Sequence, residues 1–231
     1  MKNLLPLLIL AVWLVPGLIS GGGVREEQES LDRAQIKALK PLEAVLNRYR
    51  SQVPVQIQVE KQVHQALLGR SQTSSGTLTL GEQRLRLEMG APDQSLLIHD
   101  GDYLWMVSTI EGFSGPITQV AKISPRKLGP SATLISAVFE RPRLWEEFRL
   151  VEQSDLEGGV KSFQLRPKAP MDVSEIQIVI DPKSRLVTQL SYKDDLENET
   201  RYNFKRAQFS AKIKEGTFTF VPPEGAEVTE Y

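Results

Sequence analysis

The 231-residue sequence predicts a mainly β fold, an antiparallel sheet curled or closed into a barrel. Three observations predict it. Apolar residues recur at every second position in many short runs. Turn-forming pairs such as Asp100-Gly101, Gly158-Gly159, Asp181-Pro182 and Asp194-Asp195 separate those runs. Helical three- and four-residue spacing is confined to two stretches, so no βαβ alternation is available.

The chain begins MKNLLPLLILAVWLVPGLISGGG. One lysine, an uncharged apolar run from Leu4 to Ile19, the breaker Pro16-Gly17 and small residues up to Gly23 have the layout of a secretory signal. A membrane span needs ~20 apolar residues, more than this interrupted run supplies. Residues 1–23 are therefore expected to be a signal peptide, cleaved between Ser20 and Val24, and residues 24–231 a single domain. From Val24 to Tyr49, Leu31, Ala34, Ala38, Leu42, Val45 and Tyr49 mark one side of a helix, which Pro41 should kink or split. The period then changes to two with Val53, Val55, Ile57 and Val59, and Ser71–Ser75 reads as a polar connection. TLTLGEQRLRLEM is a hairpin with Leu78, Leu80, Leu85, Leu87 and Met89 on one face. The same alternation recurs in Phe163/Leu165, Ile176/Ile178/Ile180, Leu190/Tyr192, Tyr202/Phe204 and Phe218/Phe220. A short helix fits Ser131 to Phe139. Such a sheet must bury its apolar face, either by closing tightly or by half closing around a hollow, and composition does not choose between the two.

Reactive chemistry has little to work with. There is no cysteine, the net charge is −1, and the two histidines are His64 and His99. Without cysteines an exported chain must rely on its own core, and without a basic excess nothing points to nucleic acid. His99-Asp100-Gly101-Asp102 lies between two apolar runs, where Asp-Gly is a strong hairpin signal. A triad would need an activated Ser or Cys, and no G-x-S-x-G context occurs. The histidines form no H-x-x-x-H pattern, and Asp194-Asp195-Leu196-Glu197 lacks calcium-loop spacing. Trp105 and Trp145 read more readily as core aromatics than as stacking platforms. No enzyme activity, metal or cofactor is expected.

Two segments carry a family resemblance. The first is PDQSLLIHDGDYLW, Pro92 to Trp105, followed by Gln119-Val120; the second is FTFVPPEGAEV, Phe218 to Val228. Together with Gly76-Thr77-Leu78 and the strand order, they resemble the LolA family of periplasmic carriers of outer-membrane lipoproteins, over nearly the whole mature chain. The resemblance implies an unclosed antiparallel β-barrel with the N-terminal helix and the short helical segment as a lid over an apolar cavity. It implies acylated lipoproteins as cargo, taken from an inner-membrane lipoprotein-release transporter and passed to an outer-membrane acceptor by a monomeric carrier. Candidates for lining the cavity are Leu78, Leu80, Leu85, Leu87, Trp105, Ile178, Leu190, Phe204, Phe218 and Phe220. The related receptor, LolB, has an N-terminal lipidated cysteine, which this chain lacks. Other readings are a carrier of another acylated lipid or glycolipid, and a LolA-like envelope sensor.

The sequence departs from the family pattern twice. Where family members carry an Arg-Pro whose arginine fastens the lid, this chain reads Glu82-Gln83. An ionised carboxylate donates no hydrogen bonds to lid carbonyls, so the lid is expected to be held by apolar contacts or by a basic residue such as Arg48 or Arg50. After Trp105 the chain also carries an extra segment, residues 108–118, before Gln119-Val120.

Overall fold

The alternating runs assemble into one twelve-stranded sheet in the computed structural model, which describes residues 21–112, 115–124, 130–169 and 173–231. The expected signal peptide lies outside the described residues, save that 21–23 open a helix. The chain divides into two units, one ending at Ala34 and the other running from Gln35 to Tyr231. In the first, the described residues are helical. The second holds the whole sheet.

A first meander runs through β1 (Val55–Gln65), β2 (Arg70–Gly81), β3 (Arg84–Met89), β4 (Ser95–His99), β5 (Leu104–Gly112) and β6 (Gly115–Ile123). A second runs through β7 (Phe148–Asp155), β8 (Lys161–Pro167), β9 (Val173–Asp181), β10 (Leu186–Asp194) and β11 (Glu199–Gln208). Antiparallel pairing of β1 with β11 joins them. A last short strand, β12 (Glu227–Glu230), pairs with β6 in parallel, the exception to the expected antiparallel pattern. The spatial order is β12-β6-β5-β4-β3-β2-β1-β11-β10-β9-β8-β7. The sheet does not close: β12 and β7 are its two edges.

Three local expectations change. Ser71–Ser75 belongs to β2, and the β1–β2 connection is the tighter Ala66–Gly69 turn, where Gly69 adopts φ 57°. Ser71-Gln72-Thr73-Ser74-Ser75 pairs with β1 as regular strand, but without apolar residues the period-two signal is silent. Phe218 and Phe220 lie in no strand; their alternation belongs to an irregular segment between β11 and β12. The extra segment after Trp105 is largely an extension of the β5–β6 hairpin, paired from Ser108–Gln119 to Gly112–Gly115, with 113–114 outside the described residues.

Helix α1 (Gly21–Ser51) continues through Pro41 rather than splitting there. From Gln35 onward it buries Leu39, Leu42, Val45, Leu46 and Tyr49, the 3–4 spacing of one apolar stripe. Helix α2 (Pro130–Phe139) buries Leu134, Ile135, Ala137, Val138 and Phe139, and a one-turn α3 (Leu144–Glu147) buries Leu144. All of these pack with one face of the sheet in a single cluster. At about 1.5–3 kcal/mol for each large buried aliphatic or aromatic side chain, this packing is the main term holding the helices down. Among the described residues, no helix is long and apolar enough to cross a membrane.

Candidate functional site

Cross-strand register decides which candidate residues share a surface. Ile57, Leu78, Leu87 and Leu97 stand opposite one another on β1 to β4, and Leu80 stands opposite Leu85. Val59 faces Phe204 on β11, and Leu190 on β10 faces Ile178 on β9. Leu78, Leu80, Leu85, Leu87, Ile178, Leu190 and Phe204 therefore converge on the helix-covered face, each buried in the same cluster as α1 and α2. Much of the space that the family resemblance assigns to a cavity there is occupied by side chains of these two helices.

Trp105, Phe218 and Phe220 lie elsewhere. Trp105 stands opposite Ile98, which stands opposite Arg86, and these alternate with the helix-covered positions, so they belong to the other face. Phe218 packs on that face at Gly81, where an added Cβ would sit 2.7 Å from the Phe218 ring. Arg84 lies 5.1 Å from the Phe218 centroid, and Phe220 packs 5.3 Å from Trp105. The F-x-F motif is thus a brace on the back of the sheet, and these three side chains line no hollow beneath the helices.

The Asp-Gly turn is structural, as its sequence indicates. Asp100 Oδ1 accepts from the amides of Asp102 (2.8 Å) and Tyr103 (2.7 Å), and Oδ2 accepts from Trp105 Nε1 at 2.7 Å. Burial opposes its charge, but these bonds outweigh burial and hold the carboxyl below its ordinary range. Gly101 supplies the required positive φ, 111°.

Sequence reading missed the polar ties of the lid. His99, the last residue of β4, stands across from Leu85 on the helix-covered side. Its Nδ1 lies 3.2 Å from Glu140 Oε2, at the end of α2, and Ser136 Oγ donates to the same carboxylate. The bond to Glu140 raises the His99 pKa above 6.5 against the opposing effect of burial. Glu43 on α1 pairs with Arg50 at 2.7 Å and accepts from the Leu144 amide at the start of α3, while Arg50 also donates to the Arg141 carbonyl. Arg48 donates to Ser184 O at 2.8 Å and stacks 3.9 Å from Phe209. Tyr49 Oη accepts from the Val187 amide at 3.1 Å, and burial pushes its pKa up to about 12. The only clue in the sequence was charge or hydroxyl at the end of an apolar helical run, as in Ser136 and Glu140, four residues apart.

Glu82 is exposed in the β2–β3 turn, where Gln83 adopts φ 51°, and among the described residues it makes no hydrogen bond or ion pair. Arg48 and Arg50 reach backbone carbonyls and Glu43 instead of Glu82. A cleft of about 230 Å³ remains open on the helix-covered face, lined by Leu87, Leu97, Met106, Ile135, Tyr192 and Tyr202 among others. Lys61 and Asp93 pair at 2.9 Å beside it. Burial raises the Tyr202 phenol well above its ordinary range, so it stays neutral. The cleft is smaller than the 300–1,000 Å³ usual for ligand pockets.

Among the described residues no group of three or more acidic, histidine or cysteine side chains is placed to hold a metal. His64 Nδ1 and Ser71 Oγ are 3.0 Å apart, but this is an exposed cross-strand pair on the β1–β2 hairpin.

The chain matches the family described as outer membrane lipoprotein carrier protein LolA over residues 56–221. An outer-membrane lipoprotein carrier protein of Photobacterium profundum is 27% identical over 157 residues, 67% of this chain and 72% of that protein. One from Chromobacterium violaceum is 27% identical over 163 residues, 69% of this chain and 74% of that protein. Among solved structures, an uncharacterized conserved protein from Thermus thermophilus is 10% identical with a TM-score of 0.45, covering 81% of this chain and 97% of that one. A LolA superfamily protein from Nitrosomonas europaea is 10% identical with a TM-score of 0.39, covering 76% and 96%.

Proposed function

Because the chain belongs to the LolA family, we propose that it is a periplasmic carrier which binds the acyl chains of lipoproteins and ferries them from the inner to the outer membrane. Residues 1–23 would be the cleaved export signal and 24–231 the carrier domain. Cargo would come from an inner-membrane lipoprotein-release transporter and leave to an outer-membrane acceptor. The observation that carries this reading is the convergence of Leu78, Leu80, Leu85, Leu87, Ile178, Leu190 and Phe204 on one face beneath two helices.

The energetics suit a lid that exchanges with cargo. Moving a methylene into water costs ~0.8 kcal/mol, so one long acyl chain left in water costs roughly 10 kcal/mol. Lifting α2 exposes Leu134, Ile135, Val138 and Phe139, at about 1.5–3 kcal/mol each. The two quantities are of the same order. Replacing helix side chains by an acyl chain on the same strands is then close to balanced, as a carrier that must also release its load requires. No bond-making chemistry enters.

A triacylated lipopeptide tests the proposal. It should bind the folded protein saturably and displace an environment-sensitive hydrophobic dye, and lipoproteins should co-purify with the chain from its native periplasm. A co-purifying glycolipid would move the cargo to that class. Absence of saturable binding by any acylated ligand would overturn the carrier reading.

A further inference from the structure

At one end of the sheet the chain leaves three leucines in solvent. Leu67 and Leu68, in the β1–β2 turn, are 83% and 63% exposed, and Leu196, in the β10–β11 turn, is 62% exposed. The two turns are tied together: the Ala66 amide donates to Asn198 Oδ1 at 3.0 Å, and His64 pairs with Glu199 across the strands. Each turn is also set internally. Gly69, at φ 57°, donates back to Ala66 O at 3.4 Å. Asp194 Oδ1 accepts from the amides of Leu196 and Asn198, both at 2.9 Å. The leucines therefore project from a braced tip, where water exposure of apolar side chains is not the by-product of a loose loop.

We infer that this leucine tip docks on a lipid bilayer surface, with Leu67, Leu68 and Leu196 entering the boundary between headgroups and acyl chains.

Two features select that occupant. The first is size. A stable protein–protein contact buries about 800 Å² on each partner, and three side chains at a narrow tip fall well short of it. A bilayer surface takes up exposed apolar side chains without a complementary folded partner, with a strength that scales with the apolar area buried. The second is the rim. The same two turns and the strand ends beside them expose Arg70, Asp195 and the Lys193–Glu197 ion pair, together with Gln65, Ser71 and Gln72. Such a mixed-sign, hydrogen-bonding rim complements zwitterionic headgroups, which carry both signs, better than a surface of one sign. The inference is independent of what the helix-covered face carries.

A chain without cysteine accepts a single label cleanly. The full chain carrying Leu68→Cys with an environment-sensitive fluorophore is mixed with phosphatidylcholine vesicles, some containing acyl-chain-quencher lipids. Leu156→Cys, labelled the same way in the turn after β7 at the opposite end of β8 to β10, serves as reference. The expected result is a blue shift and quenching at position 68 and neither at position 156. Adding Leu67→Asp and Leu196→Asp to the Leu68→Cys chain should raise the lipid concentration needed for half the shift by ~10-fold or more. Thermal melting should stay unchanged, since exposed side chains contribute little to folding. Equal responses at 68 and 156, or a shift that survives both aspartates, would overturn the inference. So would energy transfer between labelled chains without vesicles, which would make the tip a contact between copies.

Discussion

The two helices over the apolar face are held by different means. From Gln35 onward α1 is fastened directly to the sheet and to the chain beside it. Tyr49 receives the Val187 amide, Arg48 reaches Ser184 O and stacks on Phe209, and Glu43 binds both Arg50 and the Leu144 amide. Helix α2 is the more apolar of the two. Among the described side chains its polar tie to the strands is the one from Glu140 to His99, steadied by Ser136. One helix, the wall, is tied to its surroundings at several polar points, and the other, the proposed lid, is tied to the strands through His99 and Glu140. The proposed exchange of this helix with cargo would need a weak clasp, and the histidine–glutamate pair at its end is the contact that would have to open.

The largest expected effect falls on the wall. Tyr49→Ala removes a ring 1% exposed that packs 5.2 Å from both Phe139 and Phe209 and strands the Val187 amide. It should cost about 3–5 kcal/mol in denaturant unfolding. Next comes Glu43→Ala, which leaves a half-buried Arg50 and the Leu144 amide without their carboxylate. A loss of about 2–3 kcal/mol is expected, below the value for a fully enclosed pair because both partners retain some solvent. A loss under about 0.5 kcal/mol for either variant would remove the distinction between wall and lid.

The clasp should act through pH more than through total stability. Glu140 raises the His99 pKa above 6.5, so the folded state binds the proton more tightly than the unfolded chain. The stabilisation is fully present below about pH 6.5 and is lost as pH rises through the raised value. After correction for intrinsic rates, amide exchange of α2 should quicken over that rise while exchange of the end of α1 does not. In His99→Gln this pH dependence should vanish. If both helices respond alike, the clasp is not specific to α2. The smallest effect belongs to Glu82→Gln, which should change stability and acyl-ligand affinity by less than ~0.5 kcal/mol, since Glu82 makes no polar contact among the described residues. A large loss of binding with the fold intact would restore this turn to the latch.

Much of the sheet was legible because a half-buried strand writes its two faces into alternate residues. Leu78, Leu80, Leu85 and Leu87 follow that rule, and Asp100-Gly101 marks its turn by backbone chemistry alone. The side on which Phe218 and Phe220 pack was not legible. Their spacing imitates a strand, but they sit on an irregular segment, and only the close approach at Gly81 shows which face receives them. Strand β2 hid its first half in polar residues for the same reason that its second half was easy. The clasp was invisible because His99 and Glu140 are brought together by tertiary packing, and the motif around His99 already had a sufficient local explanation as a turn. How far the hollow was filled depended on packing α1 and α2 against particular strands, which periodicity does not encode.

Under the proposed function, acyl chains would take the place of helix α2 on the helix-covered face. A lipopeptide carrying a photoreactive diazirine in its acyl chain, irradiated with the protein and mapped by peptide mass spectrometry, tests it most directly. Crosslinks are expected at Leu87, Leu190, Phe204 and the facing side of α2, with none at Trp105, Phe218 or Phe220. Crosslinks concentrated on those three aromatic residues, on the back of the sheet, would contradict it.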